Sequence, residues 1–261
     1  MDLPLPTFKS SKTTYTLYRR VSDSNDKSVY SAKDSNGRKF FIKFSKHPGY
    51  DSYLRREYEI LSNLPQSPHF VKAVEFDDSK RGCYLVTEAV DGTQIGNKIR
   101  KCRMRRDVIF DFLSSALKVA KFLATYGVYH QDLKPDNMVW VRNVGVVLLD
   151  FETANASPTC GTPLYMPKER FSGRFAKERS ETFSLAMCAR VMTDNIADFE
   201  EISSFDSRLF VLRRDWKAFK LFRALTDPFE DLLNQNLSSN YAARDDFDSF
   251  LARLDQIVAK S

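Results

Sequence analysis

The sequence predicts an α+β chain in two lobes, a small β-rich one followed by a larger helical one. Three observations carry this expectation. The first third of the 261 residues holds short runs of β-branched and aromatic residues separated by turn residues. Beyond about residue 90, apolar residues recur at helical spacing. No internal repeat, low-complexity tract or Gly/Ser linker divides the chain further.

The strand-like runs are SVYSA (28–32), KFFIKF (39–44), HFVKAVEF (69–76) and CYLVTEAV (83–90). Turn signals such as DSNG (34–37) separate them. One helix interrupts the series at about residues 52–64 and is ended by Pro65. The rest reads as mainly helical. Ile109, Phe112, Leu113, Ala116, Leu117 and Ala120 fall at i, i+3, i+4 spacing, and Gly127 stands at the expected stop. VGVVLLDF (144–151) reads as a short buried strand.

Composition narrows the class of protein. Hydrophobic content of 43% and charged content of 28% are those of an ordinary globular chain. No apolar run is long enough to cross a membrane as a helix. The opening MDLPLPTFKSSK lacks the layout of a signal peptide, and Asp2 excludes an N-terminal myristoyl signal. The four cysteines are scattered without metal-like pairing, so reduced thiols and an intracellular location are expected, either cytoplasmic or the cytoplasm of a host cell. A net charge of +6 favours acidic partners without specifying any. The densest basic run, IRKCRMRR (99–106), has no interleaved aromatics. It reads as a solvated face or loop, and nucleic acid is not the expected partner.

The polar knot HQDLKPDN (130–137) stands out from its apolar flanks. It gathers His130, Asp132, Lys134 and Asn137 on a loop between a helix and a strand. Asp150 follows at the end of the next strand. Two carboxylates and an amide oxygen suit a hard cation such as Mg²⁺, and Lys134 can reach a phosphoryl group in transfer. Upstream, Lys43 interrupts an otherwise apolar strand, where an ammonium is costly unless paired. Glu57, on the expected helix, is its candidate partner.

At these residues the chain resembles the eukaryotic-type (Hanks-type) Ser/Thr protein kinases. HQDLKPDN is similar to their catalytic loop HRDLKPEN, LLDFE (148–152) to the metal-binding DFG segment, and FFIK (40–43) to the strand carrying the phosphate-binding lysine. GTPLYMPKE (161–169) resembles the segment that closes the activation loop, and LVTEAVDG (85–92) the hinge. The five motifs keep the family's order from about residue 14 to about residue 254.

The resemblance implies a single kinase domain over residues 1–261. Its small lobe would span about 14–89, its hinge about 88–92 and its large lobe about 93–257. It implies ATP and Mg²⁺ as cofactors and a protein Ser or Thr hydroxyl as acceptor. Asp132 would orient that hydroxyl and Lys134 would neutralise the phosphoryl group, while Asn137 and Asp150 hold Mg²⁺. Lys43, held by Glu57, would grip the α and β phosphates. Thr87 takes the gatekeeper position and Glu88 to Val90 face the adenine, with Val29, Phe41 and Val139 among the nucleotide contacts. Lys134 and Thr162 match Ser/Thr rather than Tyr kinases. His130 is taken as a packing residue.

Several residues depart from the family pattern. Ser22, Ser24 and Lys27 replace the glycines of the phosphate loop, and no glycine precedes Gly37. Lys27 could add a charge contact there, whereas Asp23 and Asp26 would repel phosphate. Phe41 replaces a small alanine, and Glu152 replaces the glycine of DFG, restricting the backbone. Gln131 replaces the arginine that anchors a phosphorylated activation loop. Glu181 stands for an aspartate that braces the catalytic loop, and Glu169 is expected to pair with Arg244. Two alternatives accompany the kinase reading. The lost glycines favour a pseudokinase or binding scaffold. DFETA (150–154) is similar to choline- and aminoglycoside-kinase-like enzymes, which lack GTPLYMPKE.

Overall fold

Alternation along KFFIKFS decides which face of the first sheet is core. The computed structural model describes residues 6–79, 82–193 and 227–260. The chain divides into two compact units, the first running to Asp91 and taking in Asp150–Glu152, the second beginning at Gly92. The expectation of an α+β fold with a β-rich lobe and a helical lobe holds.

The first unit contains β1 (Thr7–Lys9), β2 (Thr14–Asp23), β3 (Lys27–Lys33), β4 (Lys39–Ser45), α1 (Pro48–Asn63), β5 (Ala73–Ser79) and β6 (Gly82–Glu88). The six strands form one antiparallel sheet in the order β1-β2-β3-β4-β6-β5. Side chains alternate along a strand, and directly opposed residues share a face. Phe40 and Ile42 therefore pack with Tyr15, Ala32, Tyr84 and Val86 as one apolar layer. The opposite face carries Phe41 and Lys43, paired with Ser31 and Val29 on β3 and with Thr87 and Leu85 on β6.

Helix α1 covers part of that second face. It starts at a Pro in its first turn, and Leu64 is extended because Pro65 follows. Its buried residues are Tyr50, Leu54, Glu57 and Leu61, a single stripe. Tyr50 and Leu54 pack with Cys83 and Leu85. A glutamate in an apolar stripe needs a partner, and Lys43 on the same face of the sheet supplies it.

Two differences from the sequence reading concern this unit. Strand β2 was not anticipated, because of its ten residues only Tyr15 is buried, so it shows no alternation. The strand expected from residue 69 begins at Ala73. Phe70 and Val71 are apolar because they are buried, not because they are in a strand.

The second unit contains β7 (Thr93–Gln94), α2 (Ile95–Ile99), α3 (Arg106–Thr125), β8 (Met138–Val141), β9 (Gly145–Leu148), α4 (Lys168–Phe171), α5 (Glu178–Thr193), α6 (Pro228–Asn236) and α7 (Phe247–Val258) among the described residues. Helix α3 packs against α5 and α7. Gly127 follows its end at φ +68°, a conformation that favours glycine. Asp227 and Asp246 cap α6 and α7 by accepting from the backbone N–H of Phe229 and Ser249. β7, β8 and β9 form a small antiparallel sheet. Strand β9 is shorter than VGVVLLDF suggested, so Asp150 lies beyond it. In the basic run, Arg100 pairs with Asp136 and Arg106 with Asp227, while Met104 is buried. No helix among the described residues is long and apolar enough to cross a membrane.

Candidate active site

The residues that the sequence singles out fall into two sets, one in each unit. In the first unit, Lys43 on β4 is buried and donates from Nζ to Glu57 Oε1 and Oε2 at 2.8 and 2.6 Å, and to Asp150 Oδ1 at 2.5 Å. Glu57 is fully buried and also accepts from the Phe151 backbone N–H at 3.3 Å. Burial works against the Lys43 charge, but Asp150 and then Glu57 outweigh it and hold the ammonium above the usual lysine range. Lys43 is therefore charged at neutral pH. Asp150 adopts φ +64°, the left-handed conformation that Asp tolerates better than most side chains do.

A second ammonium reaches the same place. Lys27 lies 3.4 Å from both Asp150 carboxylate oxygens and forms an ion pair with Glu152. The Tyr50 hydroxyl, from α1, also donates to Glu152, and Arg56 donates to the Glu152 carbonyl at 3.3 Å. Burial opposes the Lys27 charge, yet Asp150 and Glu152 together raise it. Glu57, Asp150 and Glu152 each place a carboxylate oxygen within 4.8 Å of the others. These three carboxylates are the acidic cluster among the described residues whose oxygen atoms lie close enough together to hold a cation.

The glycine-free turn between β2 and β3 closes through its own side chains. Ser24 Oγ accepts from the backbone N–H of Lys27 at 3.2 Å and of Asp26 at 3.3 Å. Ser28 Oγ donates to Asp23 at 2.8 Å, and Lys46 donates to the Ser24 carbonyl at 2.6 Å. No residue from 22 to 28 has a positive φ, so this turn needs no glycine. Asp23 pairs with Lys46, and Asp26 Oδ1 lies 2.9 Å from His47 Nε2. Ser22 is exposed on β2 opposite Val29. Val29, Phe41, Lys43 and Thr87 share the face of the sheet described above. At the end of β6, the Glu88 and Ala89 amides donate to the carbonyls of Lys72 and Lys39, and Val90 follows, half-buried.

In the second unit, Asp132 is buried at the centre of a short network. Its Oδ1 accepts from the Thr162 backbone N–H at 2.7 Å. Its Oδ2 accepts from Lys134 Nζ at 2.8 Å and from Asn137 Nδ2 at 3.1 Å. Lys134 also donates to Thr162 Oγ1 at 2.7 Å. Burial would raise the Asp132 carboxyl, but the Lys134 charge and the Lys134 and Thr162 hydrogen bonds hold it below the usual carboxylate range. It is thus a carboxylate at neutral pH. Asn137 spends its Nδ2 on Asp132, which leaves its Oδ1 as the end suited to a cation. Val139, on β8, is buried.

His130 has a structural role, as expected. Its Nδ1 accepts from the Asp132 backbone N–H at 3.3 Å, so Nε2 is the protonated nitrogen and donates to the Leu149 carbonyl at 2.8 Å. Glu181, fully enclosed in α5, accepts from the backbone N–H groups of Gln131 at 2.9 Å and His130 at 3.2 Å. Burial pushes its carboxyl up to about 7. The expected partnership of Glu169 and Arg244 is present as a bidentate pair at 2.6 and 2.9 Å.

The sequence reading did not identify Tyr50 or Arg56 as members of these networks. Tyr50 had one available signal, a tyrosine on the same helix stripe as Glu57.

The model of the protein kinase domain family matches residues 22–253. Among curated proteins, CBL-interacting protein kinase 26 of Oryza sativa subsp. japonica is 24% identical over 88% of this chain and 49% of its own length. The serine/threonine-protein kinase ULK1 of Homo sapiens is 26% identical over 76% of this chain and 20% of its own. CBL-interacting serine/threonine-protein kinase 12 of Arabidopsis thaliana is 30% identical over 46% of this chain and 27% of its own. The chain thus spans about half or less of the length of these relatives.

Proposed function

The chain belongs to the protein kinase domain family, and on that premise we propose that it transfers the γ-phosphoryl group of Mg-ATP to a serine or threonine hydroxyl of a protein. The observation that carries the proposal is the ionised, enclosed Asp132 with Lys134, Asn137 and the Thr162 amide arranged around it. A carboxylate so held can accept a hydrogen bond from an incoming hydroxyl and align its oxygen with the phosphorus. Lys134, whose Nζ lies 2.8 Å from Asp132 Oδ2, offsets the negative charge that develops on the transferring group. Lys43 binds the α and β phosphates, and Glu57 fixes its ammonium in direction. Phosphoryl transfer asks for little more than such positioning and charge.

Asp150 and Asn137 each offer a hard oxygen atom of the kind a divalent cation takes, and Asp150 lies in a cluster of three carboxylates with Glu57 and Glu152. Magnesium held there would neutralise phosphate charge and fix the geometry of the triphosphate. In the same reading Thr87, Glu88, Val90, Val29, Phe41 and Val139 receive the adenine, and Lys27 shifts from carboxylates to phosphate. The acceptor is a protein with a Ser or Thr hydroxyl, and the +6 chain favours one with acidic surroundings. The whole of residues 1–261 serves as one catalytic domain. Four free thiols support an intracellular setting.

A scaffold reading has one observation in its favour: Lys27 already engages both oxygens of Asp150 and the Glu152 carboxylate. Purified protein with labelled ATP and a generic basic protein as acceptor separates the two. The kinase reading requires label on the acceptor or the protein itself, dependent on a divalent cation. Thermal stabilisation by Mg-ATP without any transfer would favour the scaffold.

A further inference from the structure

Arg170 is among the largest fully buried side chains of the chain, and none of the contacts described for the active site uses it. Its guanidinium donates to carbonyls from two separate segments. Nη1 donates to the Gln131 carbonyl at 2.6 Å, Nη2 to Gln131 Oε1 at 3.4 Å and to the Cys160 carbonyl, and Nε to the Pro158 carbonyl at 2.8 Å. The Phe175 ring covers it, with its centroid 5.7 Å away. A buried guanidinium is costly unless its donors are satisfied, and here the planar fork spends them on backbone.

The two segments meet closely. A Cβ on Gly161 would stand 2.7 Å from the Gln131 carbonyl oxygen, and Gly161 has φ +124°, so only glycine permits this approach. The next residue, Thr162, donates its backbone N–H to Asp132 Oδ1. Asp132 in turn directly follows Gln131. A continuous path therefore runs from Arg170 through Pro158, Cys160 and Gly161 to the hydrogen bond that orients the Asp132 carboxylate.

We propose that Arg170 is a positioning residue that clamps residues 158–162 onto the 130–132 loop, and that this clamp stands permanently where a phosphorylated loop would otherwise be anchored. Gln131 carries no charge and could not hold a phosphate. Instead its carbonyl and side-chain oxygen are acceptors for an arginine that arrives from the other end of the loop. The order that phosphorylation would create through a new phosphate–arginine contact is built into the chain by Arg170. The inference deepens the protein kinase reading and rests on it for its catalytic consequence, while its structural part stands alone.

The test compares phosphatase-treated wild type with Arg170→Lys, which keeps the charge and loses the fork. Hydrogen exchange of the amides from 157 to 162 is read beside exchange in α3, and phosphotransfer is read as kcat and as KM for ATP. The clamp predicts exchange in 157–162 faster by roughly tenfold or more with α3 unchanged. It also predicts kcat lower by roughly tenfold or more with KM for ATP within about twofold. Unchanged local exchange, or faster exchange spread evenly over α3 and the loop, would overturn it. Gly161→Ala is the second variant, since its Cβ would stand 2.7 Å from the Gln131 carbonyl oxygen and so separates the same two segments while Arg170 itself is unchanged. It should reproduce the local exchange, and a rigid loop in that variant would also overturn the proposal. If wild type transfers no phosphate, the kinase reading fails while the exchange measurement still decides the clamp.

Discussion

The ion pair between Lys27 and Glu152 replaces glycines at both of its ends, and its worth can be measured without any ligand. Each side chain is 17% exposed, which removes most of the solvent screening that makes surface pairs nearly worthless, at about 0–1 kcal/mol. A charge-assisted hydrogen bond in such surroundings contributes about 1.5–3 kcal/mol. Glu152→Gln keeps an acceptor for the Tyr50 hydroxyl and removes the charge, and Lys27→Met removes the ammonium while keeping much of the stem. A double-mutant cycle with these two changes should give a coupling of about 2 kcal/mol in the nucleotide-free protein. Each single variant should lower Tm by about 4–8 °C for a chain of this size. The assay is urea and thermal unfolding, and high salt should reduce the coupling only slightly because the pair is shielded. Because Lys27 opens the strand after the phosphate-loop turn, the same variants should change KM for ATP more than kcat. A coupling under about 0.5 kcal/mol would refute the reasoning and return Lys27 to the status of a surface charge.

Other outcomes follow from the same geometry. Asp150→Ala should abolish Mg-dependent nucleotide stabilisation in a thermal shift assay, because Asn137 supplies no charge; equal stabilisation of variant and wild type would contradict its metal role. Glu181 has its carboxyl raised by burial from 4.5 to about 7. Its contribution to stability is therefore complete below pH 4.5 and is lost as pH rises towards 7, a change of about 3 kcal/mol. Glu181→Gln, with neutral amide in place of carboxyl beside Arg170 and Asp132, should flatten that slope in unfolding experiments run from pH 4.5 to 8. Thr153 donates to the His130 carbonyl and Ser157 is bonded to Thr159, so each of the three hydroxyls already has a partner without any phosphate. The triple alanine variant should lose less than about tenfold in kcat, roughly 1.4 kcal/mol of barrier; a loss of several hundredfold would show that loop phosphorylation is required.

Residues whose burial contradicts their chemistry were legible in the sequence. Lys43 in an apolar strand and Glu57 in an apolar helix stripe each demanded a partner, and each is the other's. The knot around Asp132 was legible for the same reason, being too dense in polar groups for a stretch with apolar flanks. The turn between β2 and β3 was read through its missing glycines, which hid what Ser24 and Asp23 do by closing the turn with side-chain hydrogen bonds. Glu152 was read as a loss of backbone freedom. Its pairing with Lys27 and Tyr50 depends on contacts spanning more than 100 residues, for which no local pattern exists. Strand β2 escaped because it is mostly exposed, and Arg170 because arginines beside loops are commonplace until their burial is known.

The central claim is that Asp132 orients a protein hydroxyl for phosphoryl transfer. The most direct measurement is transfer of labelled phosphate from Mg-ATP to a protein acceptor by wild type and by Asp132→Asn, with hydrolysates resolved into phosphoserine, phosphothreonine and phosphotyrosine. The account predicts divalent-dependent label on Ser or Thr with wild type. It predicts loss of that label by roughly a hundredfold or more in the variant, with Tm and Mg-ATP binding retained. Turnover by Asp132→Asn at the wild-type rate, or folded wild-type protein that binds Mg-ATP and transfers nothing, would contradict it.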